Sequence, residues 1–308
     1  MTEAPLGVRE LAERRARARA ERDFAGADRL RDEIAGQGWL VRDAADGYTL
    51  EPKPRYDVLR DVTEISEATA AGDHRAVVTV LVEGWPDDVR RCLTALVEHL
   101  PDGVGVVALD AGNVDGAGDV AQEFAEQCDV VDALHVEGAV RYGPARAALL
   151  RVDAAPVHVW LDPSTIFDGD VLSPLVAAFD APDVVGAGWR GANVDDDWRT
   201  FHDAGPGQVE AVLGYLFAVR RDAALAVAAD AASPFTHARF YRNVDLELSY
   251  WLRDAGGVLV VVPDLPVHQE RHRGYHDTDP AYRDRESKRN YDRFLQRFRN
   301  RHDLRLPE

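Results

Sequence analysis

Cysteine, lysine and methionine are scarce in this chain, and long apolar runs are absent. Of its 308 residues only Cys92 and Cys128 are cysteines, in ordinary surroundings. That leaves no disulfide framework and no cysteine-built zinc site. No apolar run approaches the ~20 residues of a membrane-crossing helix. The densest, VLVVVP at 258–263, has the length of a buried strand. The opening residues, MTEAPLGVRELAERR, place no apolar segment after their charges, so they do not read as a secretory signal. A reducing cytoplasm is the expected compartment. Positive charge is also in deficit: 36 basic against 54 acidic side chains give −18. Residues 1–54 hold 10 basic and 11 acidic side chains, hence −1, and the remainder carries −17. An acidic body of this kind repels phosphate backbones at long range, which disfavours bulk nucleic-acid binding. The cations are almost all arginine, with lysine only at Lys53 and Lys288. Beside the richness in Ala, Val and Asp, this reads as genomic base composition rather than function.

What is present is a full complement of core-forming residues. Apolar residues make up 46% of the chain, which fits a folded α/β domain with a small appendage. Residues 1–54 form the appendage. Ala27, Leu30, Arg31 and Ile34 recur at helical spacing after a first helix through Leu11, Arg15, Ala18 and Arg22. Asp23-Phe24-Ala25-Gly26 separates the two helices, and Gly36 and Gly38 end the second. WLVRDAADGYTLEPKP then predicts a β-hairpin turning at Asp46-Gly47 and closed by Pro52 and Pro54. Residues 55–74 are a polar connector, expected to be partly helical.

From Arg75 the pattern changes to strands alternating with helices. AVVTVLVEG (76–84), GVGVVALDAG (103–112), DVVDALHV (129–136) and VHVWLD (157–162) read as strands. Residues 87–100, 117–128 and 143–154 read as the helices between them. Such alternation implies right-handed crossovers and a parallel sheet, with ligands bound beyond the carboxyl ends of the strands. Those ends carry Glu83-Gly84, Asp110-Ala111-Gly112 and Asp162-Pro163-Ser164. Carboxylates at neighbouring strand ends suit ribose hydroxyls or a base N–H. Caps and turns use the same residue type, so spacing alone leaves both readings open.

Five stretches in order carry a resemblance: AVVTVLVEGWPDDVRRCLTAL, VVALDAGNVDG, RYGPARAALLRVDAAPVHVWLDPSTIFDGDVLSPLV, GYLFAVRRD and RNVDLELSYWLRDAGGVLVVVPDLPVHQERHRGY. Over residues 76–298 the chain resembles a family 2 glycosyltransferase. The resemblance implies a GT-A fold over 75–286, a Rossmann-like, mostly parallel sheet flanked by helices. It also implies a nucleotide-diphosphate sugar donor and a hydroxyl acceptor, with inversion at the sugar. By position, Asp110 would contact the nucleobase and Arg146 would lie near the nucleotide. Asp162 would face ribose and a divalent metal, Mn²⁺ or Mg²⁺, and His268 would join it on the metal. Imidazole favours Mn²⁺ over Mg²⁺.

Two positions depart from the family pattern. Ser164 stands where the second acid of an Asp-x-Asp motif is expected, and a hydroxyl is a weaker ligand for a hard cation. Arg242-Asn243 stand where a Glu-Asp pair is expected, with Asp as base, and Asn is no base. Asp245, or else Glu247, is the candidate to take that role. The alternatives are that Asn243 and Asp245 only begin a helix, or that the chain binds a nucleotide sugar without turning it over. Arg239, Arg242, Arg271 and Arg273 are candidates to pair with the departing diphosphate.

Two flanking segments complete the reading. RDFAGADRLRDEIAGQGWLVRDAADGYTLEP resembles the small C-terminal helical module of cysteinyl-tRNA synthetases. That likeness implies an RNA or protein contact through residues 1–54, and an RNA-associated factor as a different class of function. The C-terminal stretch 287–308 predicts a basic amphipathic helix with Tyr291, Phe294, Leu295 and Phe298 as its stripe. It either packs on the domain or makes a peripheral membrane contact.

Overall fold

The first apolar stripe becomes a helical hairpin, α1 (Leu6–Ala20) and α2 (Phe24–Gly36), followed by β1 (Trp39–Ala44) and β2 (Gly47–Pro52). Asp23 begins α2, its carboxylate accepting the Gly26 N–H at 2.9 Å. β1 and β2 are antiparallel, with Ala44 opposite Gly47. Val8, Leu11, Ala12, Ile34, Trp39 and Val41 form the core of this unit. The buried Arg15 donates to both oxygens of Asp43, at 2.7 and 3.1 Å. The computed structural model describes residues 4–44, 47–53, 56–66 and 74–306. Asp46 of the expected turn, Pro54 and most of the second half of the connector lie outside the described residues. The chain divides into two units, 1–58 and 59–308. Connector residues Leu59, Val62 and Ile65 belong to the second: Leu59 bridges Val136, and Val62 and Ile65 are buried beneath the sheet there.

The second unit follows the alternation read from the sequence. It runs β3 (Ala76–Val82), α3 (Pro86–Glu98), β4 (Val104–Ala111), α4 (Ala117–Gln127), β5 (Val131–Val136), α5 (Tyr142–Leu149) and β6 (Val157–Leu161). β7 (Thr165–Phe167), α6 (Leu172–Ala177), β8 (Val184–Gly188), β9 (Gly191–Val194), β10 (Phe201–Ala204), β11 (Gly207–Val209) and β12 (Ala211–Val212) follow. The chain ends through β13 (Leu216–Arg220), α7 (Arg221–Ala228), α8 (Pro234–His237), α9 (Val244–Asp254), β14 (Val258–Val261), β15 (Val267–Gln269), α10 (Arg273–His276) and α11 (Pro280–Phe298). Eight strands form one sheet in the order β11-β14-β8-β13-β6-β3-β4-β5. β5, β4, β3 and β6 are mutually parallel, as is β14 with β8. β13 runs antiparallel between β6 and β8, and β11 antiparallel on β14. The sheet is thus mixed in its second half, where β13 and β11 run against their neighbours.

Every residue of β3, β4 and β6 is buried, as a sheet covered on both faces requires. Each fully buried Val or Leu there contributes about 1.5–3 kcal/mol. The 190–210 stretch, which carried no readable signature, folds into β9 and β10 and is anchored by Trp198. That ring is fully buried, 5.5 Å from Tyr250 and 6.0 Å from Phe294. α11 starts seven residues before the predicted helix, because Asp279 caps it and Pro280 takes its first position. Phe294 and Phe298, from the expected stripe, are wholly buried against Tyr250. Among the described residues no helix is long and apolar enough to cross a membrane.

Candidate active site

The carboxyl ends of β3 and β6 open into a cavity of about 360 Å³. β3 ends at Val82, Glu83 follows, and Gly84 at φ 125° and Trp85 at φ 55° turn the chain into α3. Only glycine takes the first of these angles without strain. Glu83 lines the cavity and stays open to solvent there, with protein crowding its other sides. Burial pushes its pKa up to about 7, with Asp162 adding to the rise and Arg146 and His272 offsetting part of it. Arg146 enters from α5 almost fully buried, its guanidinium 5.1 Å from the Tyr142 ring. Arg239 and Arg273 line the same cavity, and Arg273 lies 3.3 Å from Asp88.

Asp162 stands where β6 ends. Its Oδ1 accepts from the backbone N–H and the hydroxyl of Ser164, at 2.9 and 2.5 Å. Its Oδ2 lies 2.7 Å from His272 Nε2. Burial alone would raise this carboxyl, but the bonds from His272 and Ser164 outweigh it and hold Asp162 below the usual range. His272 Nδ1 in turn lies 3.0 Å from the Tyr241 hydroxyl, and the two ring centres are 4.6 Å apart with the planes tilted at 51°. A chain of contacts therefore runs Ser164–Asp162–His272–Tyr241.

Sequence reasoning chose His268, and the structure places it elsewhere. β15 pairs with β7, setting His268 opposite Ile166. There it is half-exposed, with Nδ1 2.6 Å from Asp168. The same pairing carries the following residues over the end of β6, and this brings His272 to Asp162. Asp110 lies at the expected strand end but does not line the cavity. It is 1% exposed, accepts the Asn113 N–H at 2.9 Å and sits 3.0 Å from His135 Nδ1. The start of α4 also closes over it, since a Cβ on Gly118 would stand 2.3 Å from its Oδ2. Arg271 pairs with Asp277 outside the cavities.

A second cavity, of about 460 Å³, shares Tyr142, Asp162, Tyr241 and His272 with the first. Phe201, Tyr215, Tyr275, Arg242, Asn243 and Asp245 complete much of its wall. α9 begins at Val244, directly after Asn243 at φ 66°. The Asn243 side-chain amide donates to Ser287 O at 3.1 Å, so it is used structurally. Asp245 lines this cavity. Its Oδ2 accepts the Gly214 N–H at 2.9 Å and its Oδ1 the Leu246 N–H at 2.9 Å. Burial raises its pKa, partly offset by these backbone donors and by Arg242. The approach is close, since a Cβ on Gly214 would stand 3.3 Å from that of Asp245. Glu247, the rival candidate, is 1% exposed and paired with Arg293 at 2.7 Å, tying α9 to α11 away from either cavity.

The combination of an acid-ended β6, a cationic cavity and a second cavity walled by the part-buried Asp245 accords with the comparisons. Residues 76–236, just over half of the chain, match the family model for glycosyl transferase family 2. The chain belongs to the family 2 glycosyltransferases. Among solved structures it is similar to GalNAc-T7 with UDP, GalNAc and Mn²⁺, at a TM-score of 0.57 and 16% identity, over 72% of this chain and 47% of that one. It is also similar to a mannosyltransferase from Pyrobaculum calidifontis in complex with GDP-Man and Mn²⁺, at 0.52 and 18%, over 73% and 63%. At these identities the likeness shows the GT-A fold, and the match over residues 76–236 shows the family. A 50-residue stretch is 54% identical to a cysteine–tRNA ligase of Opitutus terrae, over 16% of this chain and 11% of that enzyme. A 42-residue stretch is 55% identical to the Micrococcus luteus enzyme, over 14% and 9%. The chain thus spans about a tenth of the curated relatives it matches.

Proposed function

We propose that this glycosyltransferase moves a sugar, with inversion, from a nucleotide-diphosphate donor to a hydroxyl acceptor. The first cavity would take the donor and the second the acceptor. The observation that carries the reading is their meeting at Asp162 and His272, with Asp245 on the acceptor side. In the reaction the Asp245 carboxylate takes the proton of the acceptor hydroxyl. That oxygen attacks the anomeric carbon from the face opposite the diphosphate, and the carbon–oxygen bond to the diphosphate breaks. Arg239 and Arg273 line the cavity where charge builds on the leaving group, and Arg146 adds a buried cation. The raised pKa of Asp245 makes it a stronger base than a solvated aspartate, which suits its task.

A divalent metal is consistent with this site. Among the described residues no three His, Cys, Asp or Glu side chains group to cage an ion. Asp162 and His272 nonetheless lie 2.7 Å apart with the Ser164 hydroxyl beside them. Two protein ligands plus phosphate oxygens form an ordinary Mg²⁺ or Mn²⁺ set in phosphoryl sites. Bound there by Asp162 and His272, with Ser164 at the margin, the ion would neutralise the departing diphosphate.

Calorimetric titration of UDP, GDP and dTDP, each with and without Mn²⁺, tests donor site and metal together. Binding that strengthens at least about tenfold with Mn²⁺, loses that gain in His272→Ala and keeps it in His268→Ala supports the assignment. Binding indifferent to Mn²⁺ would remove the metal and leave the arginines to hold the diphosphate. No binding of any nucleotide would sink the donor reading.

A second reading concerns the N-terminal unit alone. Its short, close identity to cysteine–tRNA ligases supports an RNA contact there. Loss of tRNA binding on removal of residues 1–53 would favour it. Equal binding with and without them, or none in the full chain, would end it.

A further inference from the structure

Two buried N–H groups, Nε of Arg146 and Nε1 of Trp160, have no hydrogen-bond partner among the described residues. Both side chains are 4% exposed. Buried donors are rarely left unpaired, because each forfeits its bond to water. Arg146 and Trp160 both wall a small cavity of about 20 Å³, and Asp245 is the acid in the same wall. Phe217, Phe235 and Leu248 supply its apolar lining. A water needs roughly 10–15 Å³ on this measure and two to four polar partners. Two N–H donors and a carboxylate with spare lone pairs match its own two acceptor and two donor positions. A second anion would be repelled by Asp245, a metal cation by Arg146, and an organic group is too large.

We propose that one ordered water in this cavity links Arg146 and Trp160 to Asp245, and so couples the donor site to the base. This rests on the transferase reading above. Arg146 also lines the donor cavity and Asp245 the acceptor cavity, so the water joins a group that senses the diphosphate to the group that takes the proton. By donating to the carboxylate, the water favours its ionised form and offsets part of the effect of burial. Trp160 acts here as a positioning residue that touches neither substrate. The other groups facing Asp245 are Tyr142 from α5, Tyr215 after β12, and Tyr241 and Arg242 ahead of α9. Asp162, His272 and His276 share its larger cavity. None of these groups is altered by a change at Trp160.

Trp160→Phe removes the N–H and keeps an aromatic ring between Phe217 and Phe235, which lie 5.8 Å from it. The acid limb of kcat/KM should move up by about half a pH unit, roughly a threefold gain in proton affinity, with the donor KM unchanged. A limb that stays in place overturns the proposal. A crystal structure of the unaltered protein provides a readout free of turnover. A water within hydrogen-bond distance of Trp160 Nε1, Arg146 Nε and Asp245 supports the link, and a cavity without one overturns it. A protein that holds the water but transfers no sugar would sink the transferase reading instead.

Discussion

On one side of Asp162 the walls carry Arg146, Arg239, Arg273 and His272 against Glu83 and Asp88. On the other they carry Phe201, Tyr215, Tyr241 and Tyr275 around Asp245. The first set suits a polyanion: several cations are present, and two of the acids are paired, Asp88 with Arg273 and Asp162 with His272. The second set suits the faces of a sugar or another polar ring, with a part-buried acid and Arg242 beside it. Each cavity alone resembles an ordinary binding pocket. Their shared wall at Asp162 and His272 is what suggests group transfer, because it lets two ligands meet.

The comparison is sharpened most by separating the two cavities with single substitutions. Asp245→Asn keeps the size of the side chain and its acceptor for the Gly214 N–H while removing the base. Turnover should fall by about 10²–10⁴ with donor affinity unchanged, read by nucleotide release and by titration of the nucleotide. A fall in donor affinity of the same size would mean that the two cavities are one site.

A smaller effect concerns Glu83 on the donor side. Below about pH 7 its carboxyl is protonated and neutral, and above that it adds a negative charge beside the diphosphate. Affinity for a nucleotide sugar, whose diphosphate does not titrate in this range, should therefore fall severalfold as pH rises through about 7. Glu83→Gln should flatten that dependence. Affinity that rises with pH, or that falls equally in the variant, would remove Glu83 from the donor side.

Much of the fold was legible because it is written locally. β3, β4, β5 and β6 are short apolar runs bounded by turn residues, and their carboxyl ends marked the site before any contact was known. Asp162 could be named for that reason, and Asp245 from its place just after the Arg242-Asn243 pair at the start of a helix. The rest depends on pairings far apart in sequence. His272 reaches Asp162 because β15 pairs with β7 about a hundred residues earlier, and nothing in HQERHRG says which histidine the ladder will use. Asp110 has the right strand-end position, but its burial depends on His135 in the next strand and on the start of α4 closing above it. Glu247 and Asp245 are two positions apart on one helix. Only the packing of α11, which brings Arg293 to Glu247, separates the structural acid from the one that lines a cavity. Glu83 was visible as a strand-end residue, and the signal that marks it is its nearness to Arg146 and Asp162, which no local pattern conveys.

The most direct test of an inverting transfer based on Asp245 is stereochemical. Proton NMR of the sugar first released or transferred from an α-linked nucleotide sugar reports its anomeric configuration before mutarotation blurs it. The account predicts the β product, formed by the unaltered protein and almost absent with Asp245→Asn. An α product at first observation would contradict it, since retention needs a mechanism in which a base on the acceptor side does not drive a single displacement.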